Sequence, residues 1–117
     1  LGVTYKADLP DLRESPALRV IQLLIKEGCE VKYYDPYVSS VEIQLENQAV
    51  HQDNQSIRLH SIHSLSSQVI KNFDLVLILT GHSCVDYESV VQWARAVLDT
   101  RNASSGIADT SSRVWTL

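Results

Sequence analysis

Short apolar runs and stretches of helical periodicity alternate along this chain, the pattern of an α/β domain. Residues 1–5 read as an apolar strand. A helix is predicted over 16–27, because Ser15 and Pro16 are typical of a helix start. A second strand is predicted over 30–34. Since a crossover helix joins the two strands, we expect them to be parallel and their connection to be right-handed.

The remainder of the chain continues this alternation. Leu75 to Leu79 is continuously apolar, which is typical of a central parallel strand covered by helices on both faces. The other predicted elements are a short helix over 40–46, a short strand over 57–60, helices over 64–71 and 86–95, and a last strand over 96–98. The pattern therefore predicts a three-layer α/β fold with a Rossmann-like, doubly wound and mainly parallel sheet.

Composition narrows the class of protein. The chain has 117 residues, of which 44% are hydrophobic, as in a globular domain with a sizeable core. Its net charge of −4 argues against nucleic acid or an anionic membrane as a partner. The longest apolar run is too short to span a bilayer, and the opening residues lack a signal-peptide pattern. We therefore expect a cytoplasmic protein.

Both ends of the chain carry an expectation of their own. The sequence opens at Leu1, inside a predicted strand and without a Met, which favours a fragment of a larger protein. Residues 104–117 are rich in Ser and Thr and lack periodicity. They are predicted to be a flexible tail.

Three polar loops follow predicted strands and should meet at one edge of a parallel sheet. They are residues 6–14, 80–83 and 99–102. In open α/β sheets ligands bind at this edge, and the start of the following helix favours anions. Lys6 and Arg13 are therefore placed where a phosphate could be held.

Each candidate also has a purely structural interpretation. Arg13 could simply pair with Asp8, Asp11 or Glu14 to fix the turn. Asp35 ends a strand where a dinucleotide fold would hold a ribose hydroxyl, but Lys6 stands where the phosphate approach needs a glycine, so we interpret Asp35 as a turn cap. For His82, a structural hydrogen bond is favoured over catalysis.

The cysteines and the other histidines suggest no catalytic or metal chemistry. Cys29 is predicted to be buried, and Cys84 has no preceding Lys, Arg or helix start to activate it, although the nearby His82 keeps that question open. The spacing of the remaining histidines does not form a metal site, so none is predicted; they are His51, His60 and His63.

Three sequence features also carry a family resemblance. The Tyr5-Lys6 pair, the D-x-R-E-S-P run over 11–16 and the Tyr-Asp-Pro run over 34–36 resemble the C-terminal, nucleotide-sugar-binding domain of the UDP-glucose/GDP-mannose dehydrogenase family. The resemblance covers residues 1–103. It implies that Tyr5, Lys6 and Arg101 contact the UDP-sugar, with Arg95 competing for the role of Arg101.

The resemblance further implies what the chain lacks by itself. Arg13 would contact NAD that is held mainly by an absent N-terminal domain. The cysteine that captures the aldehyde in this family belongs to a part that is absent here, so we expect no catalytic residue in this chain and no activity from it alone.

For the whole protein, the resemblance implies an NAD-dependent UDP-sugar 6-dehydrogenase of polysaccharide biosynthesis. It would oxidise the C6 alcohol of UDP-glucose or of a UDP-N-acetyl-hexosamine to a uronic acid, as a homo-oligomer with N-terminal and central domains in the same chain. Two other interpretations remain open. One is a stand-alone regulatory α/β module that binds a nucleotide without catalysis, and the other is a structural dimerisation domain.

Overall fold

The protein is an α/β chain, described by a computed structural model over residues 1–45, 55–108 and 113–117. Strands β3, β4 and β5 form a parallel sheet in that order, and β1 and β2 form an antiparallel pair. The elements in chain order are α1 (Pro16–Lys26), β1 (Ser40–Leu45), β2 (Gln55–His60), α2 (Ser67–Lys71), β3 (Val76–Ile78), α3 (Tyr87–Trp93), β4 (Val97–Asp99) and β5 (Val114–Thr116).

The first helix forms close to where the sequence predicts it. Pro16 occupies the first helical position, and Ala17 and Ile21 bury one face of α1. Ser15 is the N-cap residue, yet its hydroxyl does not cap the helix and donates instead to the carbonyl of Val3. The helix start is thereby tied to the opening segment of the chain.

The buried side chains form two clusters. The first lies between α1, the opening segment and the β1–β2 pair, and consists of Val3, Ala17, Ile21, Tyr33, Val38, Val41 and Ile43. The second packs α2 and α3 against β3 and β4, and consists of Ile70, Val76, Ile78, Val90, Ala94 and Val97.

The opening segment, residues 1–3, runs beside β3 without forming a regular strand. The terminal amino group of Leu1 donates to the carbonyl of Leu77, and the carbonyl of Leu1 accepts from the N–H of Leu79, which is the hydrogen-bond pattern of a parallel pair. The predicted strand over 1–5 is thus only partly present, because the next donor, the N–H of Val3, is taken by the carboxylate of Asp35. Residues 30–34 likewise form no regular strand, although Gly2 donates to Tyr34.

Gly2 allows the opening segment to approach β3 closely. Its φ of +81° lies in the left-handed region, and a Cβ built on it would stand 2.4 Å from the Cβ of Thr80. No larger residue fits there without displacing the backbone.

The structure corrects the predicted helix over 40–46. Residues 40–45 form strand β1, in which Val41 and Ile43 are buried and alternate with exposed Glu42 and Gln44. This is the twofold period of a strand with one face on the core. Residue 46 lies outside the described residues.

The remaining predictions are confirmed to differing degrees. Strands at 57–60, 75–79 and 96–98 and a helix within 86–95 are all present, and the helix predicted over 64–71 is shorter. Within the range predicted as a tail, Val114–Thr116 pair with β4 as an edge strand. Cys29 is exposed, so its predicted burial is wrong. In the described parts of the chain, no helix is long and apolar enough to cross a bilayer.

Candidate functional site

Three loops meet at the carboxyl ends of the opening segment, β3 and β4. We name them the lysine loop (residues 4–9), the histidine loop (residues 80–83) and the arginine loop (residues 100–104). They enclose an open cleft of about 360 Å³, lined by Tyr5, Lys6, Ala7, Thr80, Gly81 and Arg101. The three residues predicted to contact a nucleotide sugar therefore line one cleft.

Two cationic side chains give this cleft its chemistry. Lys6 and Arg101 are both exposed, and Tyr5 is 46% exposed. Arg101 also spans the loops, because its Nε donates to the carbonyl of Leu79 at 2.9 Å and its Nη2 to that of Tyr5 at 3.3 Å. A cleft with an ammonium, a guanidinium and an aromatic ring is suited to a phosphorylated ligand with a flat base.

The arginine loop is built around the buried carboxylate of Asp99. Its Oδ1 accepts from the N–H of Arg101 at 2.9 Å and of Ala103 at 3.2 Å. Its Oδ2 accepts from the N–H and the hydroxyl of Ser104, at 2.7 and 2.6 Å. Burial raises the pKa of Asp99, but these hydrogen bonds outweigh it and hold the pKa below its usual value. The carboxylate is therefore charged at neutral pH and fixes the backbone that carries Arg101.

The lysine loop is fixed by a reciprocal contact with the histidine loop. Asp8 has a φ of 65°, a left-handed conformation that Asp tolerates better than most residues. Its N–H donates to Nδ1 of His82 at 2.9 Å, while its carboxylate accepts from the N–H and the hydroxyl of Ser83, both at 2.8 Å. The hydrogen bonds from Ser83 lower the pKa of Asp8.

Beneath this contact lies a buried pair of His82 and Asp35. The imidazole is 1% exposed, and its Nε2 lies 2.8 Å from Oδ2 of Asp35. Asp35 also accepts from the N–H groups of Val3 and Tyr37, each at 2.8 Å. The predictions that Asp35 caps its turn and that His82 makes a structural hydrogen bond are both confirmed.

Arg13 lies outside this cleft, at the start of α1. Its Nε and Nη2 donate to the carboxylate of Asp11 at 3.0 and 2.9 Å, which confirms the predicted ion pair. The hydrogen bonds from Arg13 lower the pKa of Asp11 to about 2. The Arg13 side chain is 88% exposed, so it remains accessible to a second anion. Arg95, the alternative to Arg101, pairs instead with Asp74 at 3.6 Å.

The structure adds residues that the sequence did not single out. The sequence places Asp99 and Asp8 in loops and gives Asp8 no role beyond a possible ion pair with Arg13, although an Asp followed closely by residues it can cap is a local signal. The contact between His82 and Asp35 joins distant parts of the chain and carries no such signal. Over 1–45, 55–108 and 113–117, no group of three or more His, Cys, Asp or Glu side chains is placed to hold a metal ion.

Comparison with known proteins identifies the family to which the chain belongs. Residues 1–106 match the model of the UDP-glucose/GDP-mannose dehydrogenase family, UDP binding domain. The chain is 34% identical over 82 residues to the UDP-N-acetyl-D-mannosamine dehydrogenase of Methanococcus aeolicus, covering 70% of this chain and 15% of the relative. It is 32% identical over 109 residues to the enzyme of that name from Methanocaldococcus jannaschii, covering 86% of this chain and 21% of the relative.

A relative with another substrate in its name is equally similar. The UDP-glucose 6-dehydrogenase of Rickettsia bellii is 32% identical over 108 residues, covering 87% of this chain and 23% of the relative. No solved structure matches the chain. The chain thus spans about a fifth of the length of these curated relatives. Because the family model covers nearly all of it, the chain belongs to the UDP-glucose/GDP-mannose dehydrogenase family and corresponds to its C-terminal, UDP binding domain.

Proposed function

We propose that the cleft between the three loops binds the nucleotide half of a UDP-sugar. The observation that carries this proposal is that Lys6 and Arg101, from opposite ends of the domain, line one cleft together with Tyr5. Lys6 would supply a compact charge to the diphosphate and Arg101 a planar fork of donors. Tyr5 would pack against the base or the ribose.

The placement of the cleft supports a doubly wound, Rossmann-like fold. Backbone hydrogen bonds place the opening segment between residue 34 and β3, and β4 and β5 continue the sheet on the far side of β3. In such sheets, ligands bind outside the carboxyl ends of the strands. The cleft occupies that position.

For the whole protein, we propose an NAD-dependent UDP-sugar 6-dehydrogenase. The names of the relatives support oxidation of a UDP-sugar, with UDP-glucose and UDP-N-acetyl-hexosamines as the candidate substrates. This domain would contribute binding energy from the nucleotide, which holds the distant C6 alcohol in position for reaction. The chemical step itself would depend on other domains of the same chain, and the full enzyme would be a homo-oligomer.

NAD is the cofactor that the family implies, and when bound it would accept the hydride. The residues present do not enclose a dinucleotide, because the turn after the opening segment carries Lys6 and the constrained Asp8 in place of a glycine-rich loop. The exposed guanidinium of Arg13 does fit a single phosphate contact. We therefore propose that Arg13 meets NAD held mainly by another domain.

Calorimetric titration of the 117-residue chain with UDP and with NAD tests the proposal. We expect UDP to bind more tightly than NAD, and Lys6→Ala to weaken UDP binding about tenfold, as for the loss of a charge-assisted hydrogen bond. Lys26→Ala is the matched control, since Lys26 is also exposed but lies at the far end of α1. The UDP affinity of Lys26→Ala should equal that of the wild type.

Two results would contradict the proposal. NAD binding that is tight and insensitive to Lys6→Ala would indicate an independent dinucleotide module. Equal loss of UDP affinity in Lys6→Ala and Lys26→Ala would mean that the effect is one of overall charge and that the cleft is not the site.

A further inference from the structure

We infer that His82 is a positioning residue for the lysine loop, acting as a neutral imidazole with its proton on Nε2. It would hold the backbone of Asp8 and thereby set where Lys6 stands in the cleft. The part of this inference that concerns UDP rests on the proposed function, whereas the tautomer and the loop contact do not.

The partners of the two ring nitrogens determine the tautomer. The backbone N–H of Asp8 can only donate, so Nδ1, at 2.9 Å, must present a lone pair. The carboxylate of Asp35 accepts two backbone N–H groups and is an acceptor toward the ring as well, so Nε2, at 2.8 Å, must carry the proton. A proton on Nδ1 would remove the acceptor that holds Asp8.

The surroundings leave the imidazole little freedom to change partners. It is 1% exposed, and the ring of Tyr37 lies 4.9 Å from it between centroids. Tyr87 donates to the carbonyl of His82 at 3.0 Å, which fixes the backbone of the histidine loop. His82 is thus a rigid support against which a loop can be held.

Lys6 lies between two residues that contact His82. On one side, the hydroxyl of Thr4 donates to the carbonyl of Lys6 at 2.8 Å and lies 3.4 Å from Nε2 of His82. On the other side, Asp8 donates to Nδ1 and accepts from Ser83. The short stretch that presents Lys6 is therefore held at both of its ends by residues that contact His82 or Ser83, in addition to the hydrogen bonds that Thr80 and Arg101 donate to the carbonyls of Thr4 and Tyr5.

Two substitutions of His82 distinguish a role in positioning the lysine loop from a role in filling space. His82→Asn places an amide oxygen near the position of Nδ1 and keeps the acceptor for Asp8, whereas His82→Gln places its terminal amide near Nε2 and keeps only the donor toward Asp35. Gln is closer in volume to His than Asn is. If His82 only fills space, His82→Gln should therefore preserve the cleft better than His82→Asn. If His82 positions the lysine loop, His82→Asn should preserve it better.

We expect UDP affinity to fall about tenfold in His82→Gln and to stay within about threefold of the wild type in His82→Asn. Hydrogen exchange of the Asp8 amide should accelerate more in His82→Gln than in His82→Asn. An equal or larger loss of affinity and protection in His82→Asn would overturn the inference.

Two-dimensional ¹⁵N spectra of the imidazole provide a test that needs no ligand. We expect His82 to show a protonated Nε2 and an unprotonated Nδ1 at neutral pH, and a protonated Nδ1 would overturn the inference. If the wild-type chain fails to bind UDP, the proposed function fails, while the tautomer and the exchange of the Asp8 amide still decide whether His82 holds the loop.

Discussion

Asp35 and Asp99 are both buried carboxylates at the sheet edge that carries the cleft, but they organise it in different ways. All the hydrogen-bond partners described for the carboxylate of Asp99 lie within five residues along the chain. Asp35 joins Val3, Tyr37 and His82, the last of them 47 residues away. The carboxylate of Asp99 therefore organises the arginine loop through its own neighbours in the sequence, whereas the carboxylate of Asp35 joins distant parts of the chain beneath the lysine loop.

This difference indicates which substitutions should disturb each loop. A change near Asp99 should disturb mainly the arginine loop, which contacts the lysine loop through the 3.3 Å hydrogen bond from Arg101 to the carbonyl of Tyr5. A change at Asp35 removes an anchor that the opening segment, the turn at 35–37 and the histidine loop share. Substitution of each carboxylate is the direct way to break the comparison.

The largest effect is expected from Asp35→Ala. It leaves the N–H groups of Val3 and Tyr37 and the buried imidazole of His82 without their acceptor, and the free energy of unfolding should fall by about 4 kcal/mol. Urea denaturation measures this loss. Asp86→Ala, which removes an exposed cap of α3, is the control and should cost much less. Equal losses would show that Asp35 is no more than a local turn residue.

A smaller effect is expected from Asp99→Ala. Among its donors, the N–H of Arg101 can turn toward water because Arg101 is exposed, whereas Ser104 is buried, so the loss should be about 2 kcal/mol. Hydrogen exchange should accelerate in the arginine loop and leave the amide of Asp8 protected. Faster exchange at Asp8 would mean that the two loops are not independent.

The smallest effect is the dependence of stability on acid pH. The pKa of Asp99 in the folded protein lies below that of the unfolded chain, which is about 4. The unfolded state therefore binds more protons as the pH falls below about 5, and stability should decrease toward pH 2. Asp99→Asn should flatten this decrease in a series of urea titrations. An unchanged slope would mean that hydrogen bonding at Asp99 does not favour the charged form.

The contrast between the carboxylates also explains what the sequence could predict. Helix α1 and strand β3 follow from local periodicity and a helix-start signal, and both are present. Strand β1 was predicted as a helix because Val41 and Leu45 stand four residues apart, a spacing that fits both periods. Pairing with β2 favours the strand over the helix, and a short window of sequence around residues 40–45 does not include that partner.

The same limit applies to the cleft. Lys6 and Arg101 could be placed at one sheet edge because the carboxyl ends of parallel strands share that edge. The contacts that hold Lys6 could not be predicted, since the hydrogen bond between Asp8 and His82 spans 74 residues. Burial of Cys29 was likewise predicted from its place just before the strand expected over 30–34, but the residue follows the end of α1 and is exposed.

The central claim is that the three loops form one nucleotide site, and titration of the ¹⁵N-labelled chain with UDP tests it most directly. The account predicts saturable shifts concentrated on Tyr5, Lys6, Thr80, Gly81 and Arg101, with one dissociation constant shared by all of them. Shifts that saturate elsewhere, or that leave the lysine and arginine loops unchanged, would contradict it.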